Sequence, residues 1–128
     1  MTPLFDTNIL IDHLNGIPQA RKELSLYDRW AISIIGWMEV MAGTDDQTEG
    51  PTRRFLSNFD VLPIDASVAE LAVTLRKGRK LKLPDAIIQA TASANSLLRV
   101  TRNEKDFSYQ MPGVRIPYRL QGPPLAQS

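Results

Sequence analysis

The chain has 128 residues and a formal net charge of +1, with 43% apolar and 23% charged residues, a composition typical of one soluble globular domain. It contains no cysteine, which excludes disulfides, thiol catalysis and cysteine-ligated metal centres, and its single histidine, His13, weighs against histidine-rich metal sites and a Ser-His-Asp triad. We expect a cytoplasmic protein without membrane association, because no apolar run approaches a span of about 20 residues and the first residues do not resemble a secretion signal.

Short apolar segments alternate with helical patterns along the chain. Strands are predicted at residues 4–5, 30–32, 61–64, 98–101 and 114–116. Helices are predicted at residues 8–14, 18–27, 33–42, 52–59, 67–78 and 84–96. This alternation predicts a single α/β domain over residues 1–120, with a mostly parallel sheet covered by helices on both faces, and a disordered tail at 121–128.

Capping residues decide where the predicted helices begin. Asn8 can cap the first helix by itself, which would leave the side chain of Asp6 available for another role. The spacing Ser-x-x-Glu at residues 67–70 predicts a capping box. Pro84 at the first position of its helix would place Asp85 at the second.

Four acidic residues stand where packing alone does not explain a carboxylate: Asp6, Glu39, Asp85 and Asp106. Two of them follow predicted strands, and the other two lie on helices that begin at the carboxyl edge of the sheet, where such folds build their sites. Carboxylates that converge there repel one another unless cations neutralise them. Because carboxylate oxygens suit Mg²⁺ or Mn²⁺, the pattern predicts a divalent metal centre that cleaves phosphodiesters.

Each of these carboxylates also has a structural explanation. Asp6 could belong to a capping segment. Glu39 could lie on the exposed stripe of an amphipathic helix, although the glycine one turn before it suggests a close approach by another backbone or a ligand. Asp85 could stabilise the first turn of its helix through the macrodipole, and Asp106 could lie in a solvated loop, where nearby polar residues compete for its role.

Basic residues cluster just before Asp85. The stretch that runs into it contains Arg76, Lys77, Arg79, Lys80 and Lys82. Further basic residues are Arg53, Arg54, Arg99, Arg102 and Lys105. A basic rim around an acidic centre suits a polyanionic substrate, whereas the alternative is a solvated helix end whose cations favour the helix dipole.

Four motifs, in this order, resemble those of the PIN-domain family, and specifically the VapC-type toxins of bacterial toxin–antitoxin pairs. They are Asp-Thr-Asn at 6–8, Glu-x-x-x-Gly at 39–43, Leu-Pro-Asp-Ala at 83–86 and Thr-Arg-Asn-x-x-Asp-Phe at 101–107. No single motif is specific, but the four at these spacings are, and the resemblance covers roughly residues 3–117. It implies a three-layer α/β/α sandwich around a mostly parallel sheet.

The resemblance also implies a function and partners. It implies a Mg²⁺- or Mn²⁺-dependent endoribonuclease that cuts RNA such as tRNA or ribosomal RNA, forms a homodimer, and is blocked by a cognate antitoxin that binds DNA. The family's acidic positions match Asp6, Glu39, Asp85 and, least uniformly, Asp106. Positions that support the site match Asn8, Thr101 and Asn103. Candidates to hold the RNA backbone, through salt-sensitive contacts, are Arg79, Lys80, Lys82, Arg102 and Lys105.

Two other classes of function stay open on the residues alone. A phosphoacceptor receiver domain would use Asp65, just after the third strand, although receivers carry paired acids after the first strand and Asp65 is better explained as a helix cap. A non-catalytic binding module would use its carboxylates to pair with arginines of a partner. A dehalogenase-like phosphatase is less compatible, because Asn8 stands where that class needs a second aspartate.

Overall fold

The computed structural model describes residues 2–79, 81–104 and 113–120. Within them the strands are β1 (Pro3–Phe5), β2 (Ala31–Ser33), β3 (Asp60–Leu62), β4 (Leu98–Val100) and β5 (Val114–Arg115). The helices are α1 (Thr7–Leu14), α2 (Pro18–Ser25), α3 (Ile34–Ala42), α4 (Glu49–Leu56), α5 (Ala66–Arg79) and α6 (Leu83–Ala94). The predicted α/β class is confirmed, with most element ends shifted by a few residues.

The strands form one parallel sheet in the order β3-β2-β1-β4-β5. Strand β1 is central. Its neighbour β4 lies far from it in the sequence, after α6. The backbone N–H of Asp6 extends this pairing by donating to the carbonyl of Val100 at 2.9 Å. The carboxyl ends of β1 and β4 therefore lie side by side, as a parallel sheet requires.

Apolar side chains pack on both faces of the sheet. On one face, Phe5, Ile32 and Val100 share a buried cluster with residues of α1, α2 and α4. On the other, Leu4 packs with Ile88 of α6. Because successive side chains of a strand point to opposite faces, these short strands are buried on both sides, which gives three layers.

The first helix begins differently from the prediction. Asp6, rather than Asn8, is its N-cap: the backbone of Asp6 is extended, and its Oδ1 accepts from the N–H of Thr7 at 2.7 Å. Asn8 lies inside the first turn with its side chain directed toward the end of β4. The prediction that Asn8 caps this helix was wrong, because the helix starts as soon as β1 ends.

The starts of the last two helices also need correction. Oδ1 of Asp65 accepts from the N–H of Val68 at 2.9 Å, so Asp65 caps α5, and the capping box predicted at 67–70 begins two residues too far along. Helix α6 begins at Leu83, which places Asp85 third rather than second. The predicted tail at 121–128 lies outside the described residues.

Two smaller findings complete the fold. Strand β3 ends before Pro63 and lies at the edge of the sheet, as the proline predicts. In the part of the chain that the structure describes, no helix is both long and apolar enough to cross a membrane.

Candidate active site

The alternation of side chains along β1 and β4 selects the residues that meet at the carboxyl edge. Leu4 lies opposite Arg99 in the register of the two strands. Two residues further on, Asp6 and Thr101 point to the same face as that pair. One face of the sheet thus changes from apolar to charged at its carboxyl end, against the start of α6.

Asp6 is the centre of this arrangement. It is 5% exposed. Its Oδ2 accepts from Nη2 of Arg99 at 2.6 Å and from the hydroxyl of Thr101 at 2.7 Å. Its Oδ1 accepts from the N–H of Thr7. The carboxylate is therefore fixed in position by three donors from two elements.

Arg99 was counted among the basic residues around the acidic centre, but its buried position inside the site was not predicted. Its side chain is 0% exposed. Besides Asp6, its Nη1 lies 3.3 Å from Oε1 of Gln89 and 3.4 Å from the backbone carbonyl of Asp85. The guanidinium thus joins the carboxyl edge of the sheet to α6. The signal in the sequence was an arginine in the middle of a strand predicted to be buried, between Leu98 and Val100.

Glu39 is brought to the site by Thr7. Its side chain is exposed, and its Oε1 accepts from the hydroxyl of Thr7 at 2.7 Å. A Cβ atom at Gly36 would lie 3.5 Å from that hydroxyl, an ordinary contact distance. The neighbour of this glycine is thus the side chain of Thr7 rather than the backbone or ligand that was predicted, and it does not approach closely enough to require a glycine. Sequence reasoning placed Thr7 in a motif but gave it no role.

Thr101 and Asn8 form the support around Asp6. While the Thr101 hydroxyl donates to Asp6, it accepts from the amide of Asn8 at 3.2 Å and from the N–H of Asn103 at 3.0 Å. The carbonyl oxygen of the Asn8 side chain accepts from the N–H of Arg102 at 3.1 Å. Asn8 therefore acts on the first aspartate through Thr101.

The side chain of Arg102 is bound to Asp12, a residue that was not predicted to belong to the site. Its Nε and Nη2 donate to the two oxygens of the buried Asp12 at 2.5 and 3.0 Å. The hydroxyl of Tyr118 donates to the same carboxylate at 2.8 Å. The hydrogen bond to Asp12 raises the pKa of Arg102, and burial followed by that carboxylate raises the pKa of Tyr118. Arg102 as an RNA contact stays a prediction, but its guanidinium already has a strong partner.

A second network of the same kind lies between α2 and β5. The buried carboxylate of Glu23 accepts from Nε and Nη2 of Arg115 at 2.7 and 2.9 Å. It also accepts from the hydroxyl of Tyr27, and burial together with this bond raises the pKa of Tyr27 to about 12. This group uses none of the predicted site residues.

The remaining predicted residues are placed as follows. Asp85 is half-buried in the first turn of α6, Arg79 is exposed at the end of α5, and Lys82 is exposed just before α6. Asp106, Lys80 and Lys105 lie outside the described residues. The basic stretch has a structural component too, because Nη1 of Arg76 donates to the carbonyl of Leu81 at 2.5 Å.

A groove of about 390 Å³ is lined by residues of α1, α3 and α4. Ile11, Leu14 and Pro51 are among its apolar lining residues. Glu39 also lines this groove, so an exposed carboxylate of the predicted site borders a partly apolar surface.

The donor set fits a hard divalent ion. Asp6 and Glu39 both accept hydrogen bonds from Thr7, which brings two carboxylates to either side of one residue. Within residues 2–79, 81–104 and 113–120, no three acidic or imidazole side chains form a group that could hold a metal. Mg²⁺ keeps several of its waters and is commonly held by one or two carboxylates, so a pair of carboxylates is compatible with such a site.

Known proteins place this fold and site in context. The chain is similar to a chain of a toxin–antitoxin complex from Klebsiella pneumoniae, with 48% sequence identity, coverage of 92% of this chain and 99% of that chain, and a TM-score of 0.88. It is similar to DNA-bound VapBC from Salmonella typhimurium, with 26% identity, coverage of 90% and 96%, and a TM-score of 0.71. FitAcB from Neisseria gonorrhoeae shares the fold, with 23% identity, coverage of 92% and 99%, and a TM-score of 0.77. No curated protein matches the sequence significantly.

The family assignment follows from two independent matches. The profile of the PIN domain matches residues 4–109, which is most of the chain. The Klebsiella relative is matched over nearly its whole length at high identity. PIN-domain toxins are nucleases, and PIN nucleases generally need divalent metal ions. The chain belongs to the PIN-domain family.

Proposed function

We propose that the protein is a metal-dependent endoribonuclease that acts as the toxin of a type II toxin–antitoxin pair. The observation that carries this proposal is the arrangement of Asp6 and Glu39 around Thr7 at the carboxyl edge of a parallel sheet. The PIN-domain match supports the nuclease activity, and the relative found in a toxin–antitoxin complex supports the biological role.

The metal centre in this proposal holds Mg²⁺ or Mn²⁺ on carboxylate oxygens. Asp6 and Glu39 are the first two ligands, Asp85 approaches from α6, and Asp106 is assigned by its position in the sequence motif. Bound there, the ion would supply an activated water and neutralise charge on the phosphate.

The chain itself contributes position and charge. Thr101 and Thr7 hold the carboxylates of Asp6 and Glu39, so that little reorganisation is needed when the substrate binds. The exposed Arg79 and Lys82 lie just before the helix that carries Asp85, where they can hold the RNA backbone next to the scissile phosphate. Such contacts predict that binding weakens steeply with salt.

The proposal extends to partners. A cognate antitoxin would block the site, in keeping with the complexes in which the relatives are found. The groove that Glu39 helps to line offers apolar side chains to such a partner. We also propose that the protein is cytoplasmic and forms a homodimer.

The two alternative classes receive less support. A receiver domain would need Asp65 as its phosphate acceptor, but Oδ1 of Asp65 is engaged as the cap of α5, beside the edge strand β3 and away from the Asp6 carboxylate. A pure binding module would not need a carboxylate held by three donors at the centre of the sheet edge.

Cleavage of labelled total tRNA and ribosomal RNA by the purified protein tests the proposal. The reactions contain Mg²⁺, Mn²⁺ or EDTA, and the site variant is Asp6→Asn. Asparagine is preferred to alanine because, although both remove the counter-charge of Arg99, the amide oxygen of asparagine can still accept a hydrogen bond from that buried guanidinium. The matched control is Glu23→Gln, which changes an equally buried carboxylate outside the site.

Discrete fragments that require metal, persist in Glu23→Gln and disappear in Asp6→Asn would support the proposal. Cleavage that continues unchanged in folded Asp6→Asn would refute the assignment of Asp6. No cleavage by folded, antitoxin-free protein on either RNA would favour the binding module.

A further inference from the structure

We propose that Arg99 is a resident cation of the acidic site: it neutralises and positions Asp6, and it confines the metal ion to the Oδ1 side of that carboxylate. This inference rests on the proposed function, because it concerns the same metal centre. It makes Arg99 a positioning residue that acts through Asp6.

The burial of Arg99 requires a counter-charge. A guanidinium that is 0% exposed has exchanged water for protein partners, and the carboxylate that balances it is Asp6, at 2.6 Å. Breaking a buried pair of this kind by removing one partner is strongly unfavourable, since the other charge stays in a medium that solvates it poorly. The fold therefore holds Asp6 and Arg99 together whether or not a metal is bound.

The two oxygens of Asp6 are used unequally. Oδ2 accepts two side-chain hydrogen bonds, from Arg99 and Thr101. Among the described residues Oδ1 accepts one, from the N–H of Thr7. A divalent ion on Oδ2 would displace the short hydrogen bond from Arg99 and lie next to that positive charge. Oδ1 is therefore the oxygen that can bind the metal ion.

The direction of Oδ1 agrees with the position of the second carboxylate. Thr7 gives its backbone N–H to Oδ1 of Asp6 and its hydroxyl to Oε1 of Glu39. The oxygen of Asp6 that Arg99 does not bind is thus the one that shares Thr7 with Glu39. Arg99 and the metal would approach one carboxylate from opposite directions.

This arrangement has a cost for metal affinity. The positive charge of Arg99 reduces the negative potential that a dication experiences at the site, and the effect is large where water is excluded. In return, the protein folds without needing metal to neutralise Asp6. Removal of the charge should reverse both effects: tighter metal binding and a fold whose stability depends on metal.

The test measures Mn²⁺ binding by calorimetry and thermal unfolding against Mn²⁺ concentration, on the full chain. Arg99→Met should bind Mn²⁺ about tenfold more tightly than the wild type. Its Tm without metal should be lower, and added Mn²⁺ should raise its Tm more than that of the wild type, because ligand that binds the folded state stabilises it. Arg99→Lys, which keeps the charge, should bind Mn²⁺ within a fewfold of the wild type.

The control is Arg115→Met, which breaks the other arginine–carboxylate fork at Glu23. It should lose stability without any change in Mn²⁺ affinity, and Mn²⁺ should not restore the loss preferentially. If Arg99→Met fails to fold even with Mn²⁺, Arg99→Gln carries the test, because its amide can still donate to Asp6 without a charge.

The outcomes separate the two proposals. Unchanged or weaker Mn²⁺ binding in Arg99→Met, or in Arg99→Gln where that variant replaces it, with a wild type that cleaves RNA in a metal-dependent way, would overturn the role of Arg99 and leave the proposed function standing. If neither the wild type nor the Arg99 variants bind Mn²⁺ and no RNA is cleaved, both proposals fail. Binding in Arg99→Met with none in the wild type would support the inference in its strongest form.

Discussion

Two aspartates at the ends of α1 each pair with an arginine, and the difference between the pairs separates a structural carboxylate from a candidate catalytic one. Asp6 and Asp12 are both 5% exposed. Both oxygens of Asp12 are bound by the fork of Arg102, and Tyr118 adds a third donor. Asp6 receives one guanidinium nitrogen, on one oxygen. The two carboxylates are equally buried, and each pairs with an arginine. Both oxygens of Asp12 are bound by the arginine, so we call it the closed aspartate, whereas Oδ1 of Asp6 is left by its arginine for a metal ion.

The largest effect is expected on stability when the aspartate of the site pair is truncated. Asp6→Ala should lower the free energy of unfolding by about 3–5 kcal/mol, because it leaves the fully buried Arg99 without its counter-charge. Denaturant unfolding measures the loss. The double variant Asp6→Ala/Arg99→Met should recover much of it, since both charges are then removed. Equal stabilities of the single and double variants would mean that the pair does not interact as described.

The next largest effect is expected on catalysis, from a substitution at Asp6 that preserves the shape of the side chain. Asp6→Asn should lower the rate of RNA cleavage by at least about 100-fold, because the amide removes the negative charge that the metal and Arg99 both use. Circular dichroism should show a folded protein. Asp12→Asn is the contrasting change at the closed aspartate. If Asp6→Asn and Asp12→Asn are equally well folded and lose the same activity, the distinction between the two aspartates is contradicted.

Truncation of the closed aspartate should act on stability with a smaller magnitude. Asp12→Ala removes the partner of Arg102 and Tyr118, and we expect a loss of about 2 kcal/mol, because the Arg102 side chain is 31% exposed and can reach water. The midpoint of urea unfolding gives this value. A loss larger than that of Asp6→Ala would reverse the order of the two pairs.

These pairs also show how far sequence reasoning reaches. Asp6, Glu39 and Asp85 were predicted as site residues because a carboxylate in an apolar segment stands out, and the strand order places their elements near one another. The family and fold predictions are confirmed. The pairing partners were missed: Asp12 sits at an ordinary helical position and Arg99 looks like one more basic residue. Which acid meets which arginine depends on a strand register that links positions 93 apart in the chain.

A smaller change tests the open side of Asp6. Thr7→Val removes the hydroxyl that donates to Glu39 and should lower cleavage by about tenfold, as expected for a residue that orients a ligand. Thr7→Ser keeps a hydroxyl and should retain most of the activity. Initial rates at saturating and limiting Mn²⁺ measure both. If Val and Ser behave alike, the hydroxyl does not position Glu39.

The smallest expected effect concerns the neighbour of the closed aspartate. His13 stacks on Phe55 at 4.6 Å, and burial, followed by the charge of Arg21, lowers its pKa below the ordinary value of 6.5. The unfolded chain therefore binds the proton more readily, so stability should fall as pH drops through 6.5 and level off below the folded-state pKa. His13→Phe should remove this slope. The free energy of unfolding at pH 7.5 and pH 5 measures it, and identical slopes in the two proteins would contradict the prediction.

The carboxylate of Asp12 holds two points of the chain that lie far apart in sequence. Arg102 follows β4 and Tyr118 follows β5, and both bind the same side chain of α1. Two points of the chain, one on either side of β5, are thereby tied to one side chain of α1. Loss of Asp12 removes the side-chain partner of both residues at once, so a single substitution on α1 should loosen the chain on either side of β5.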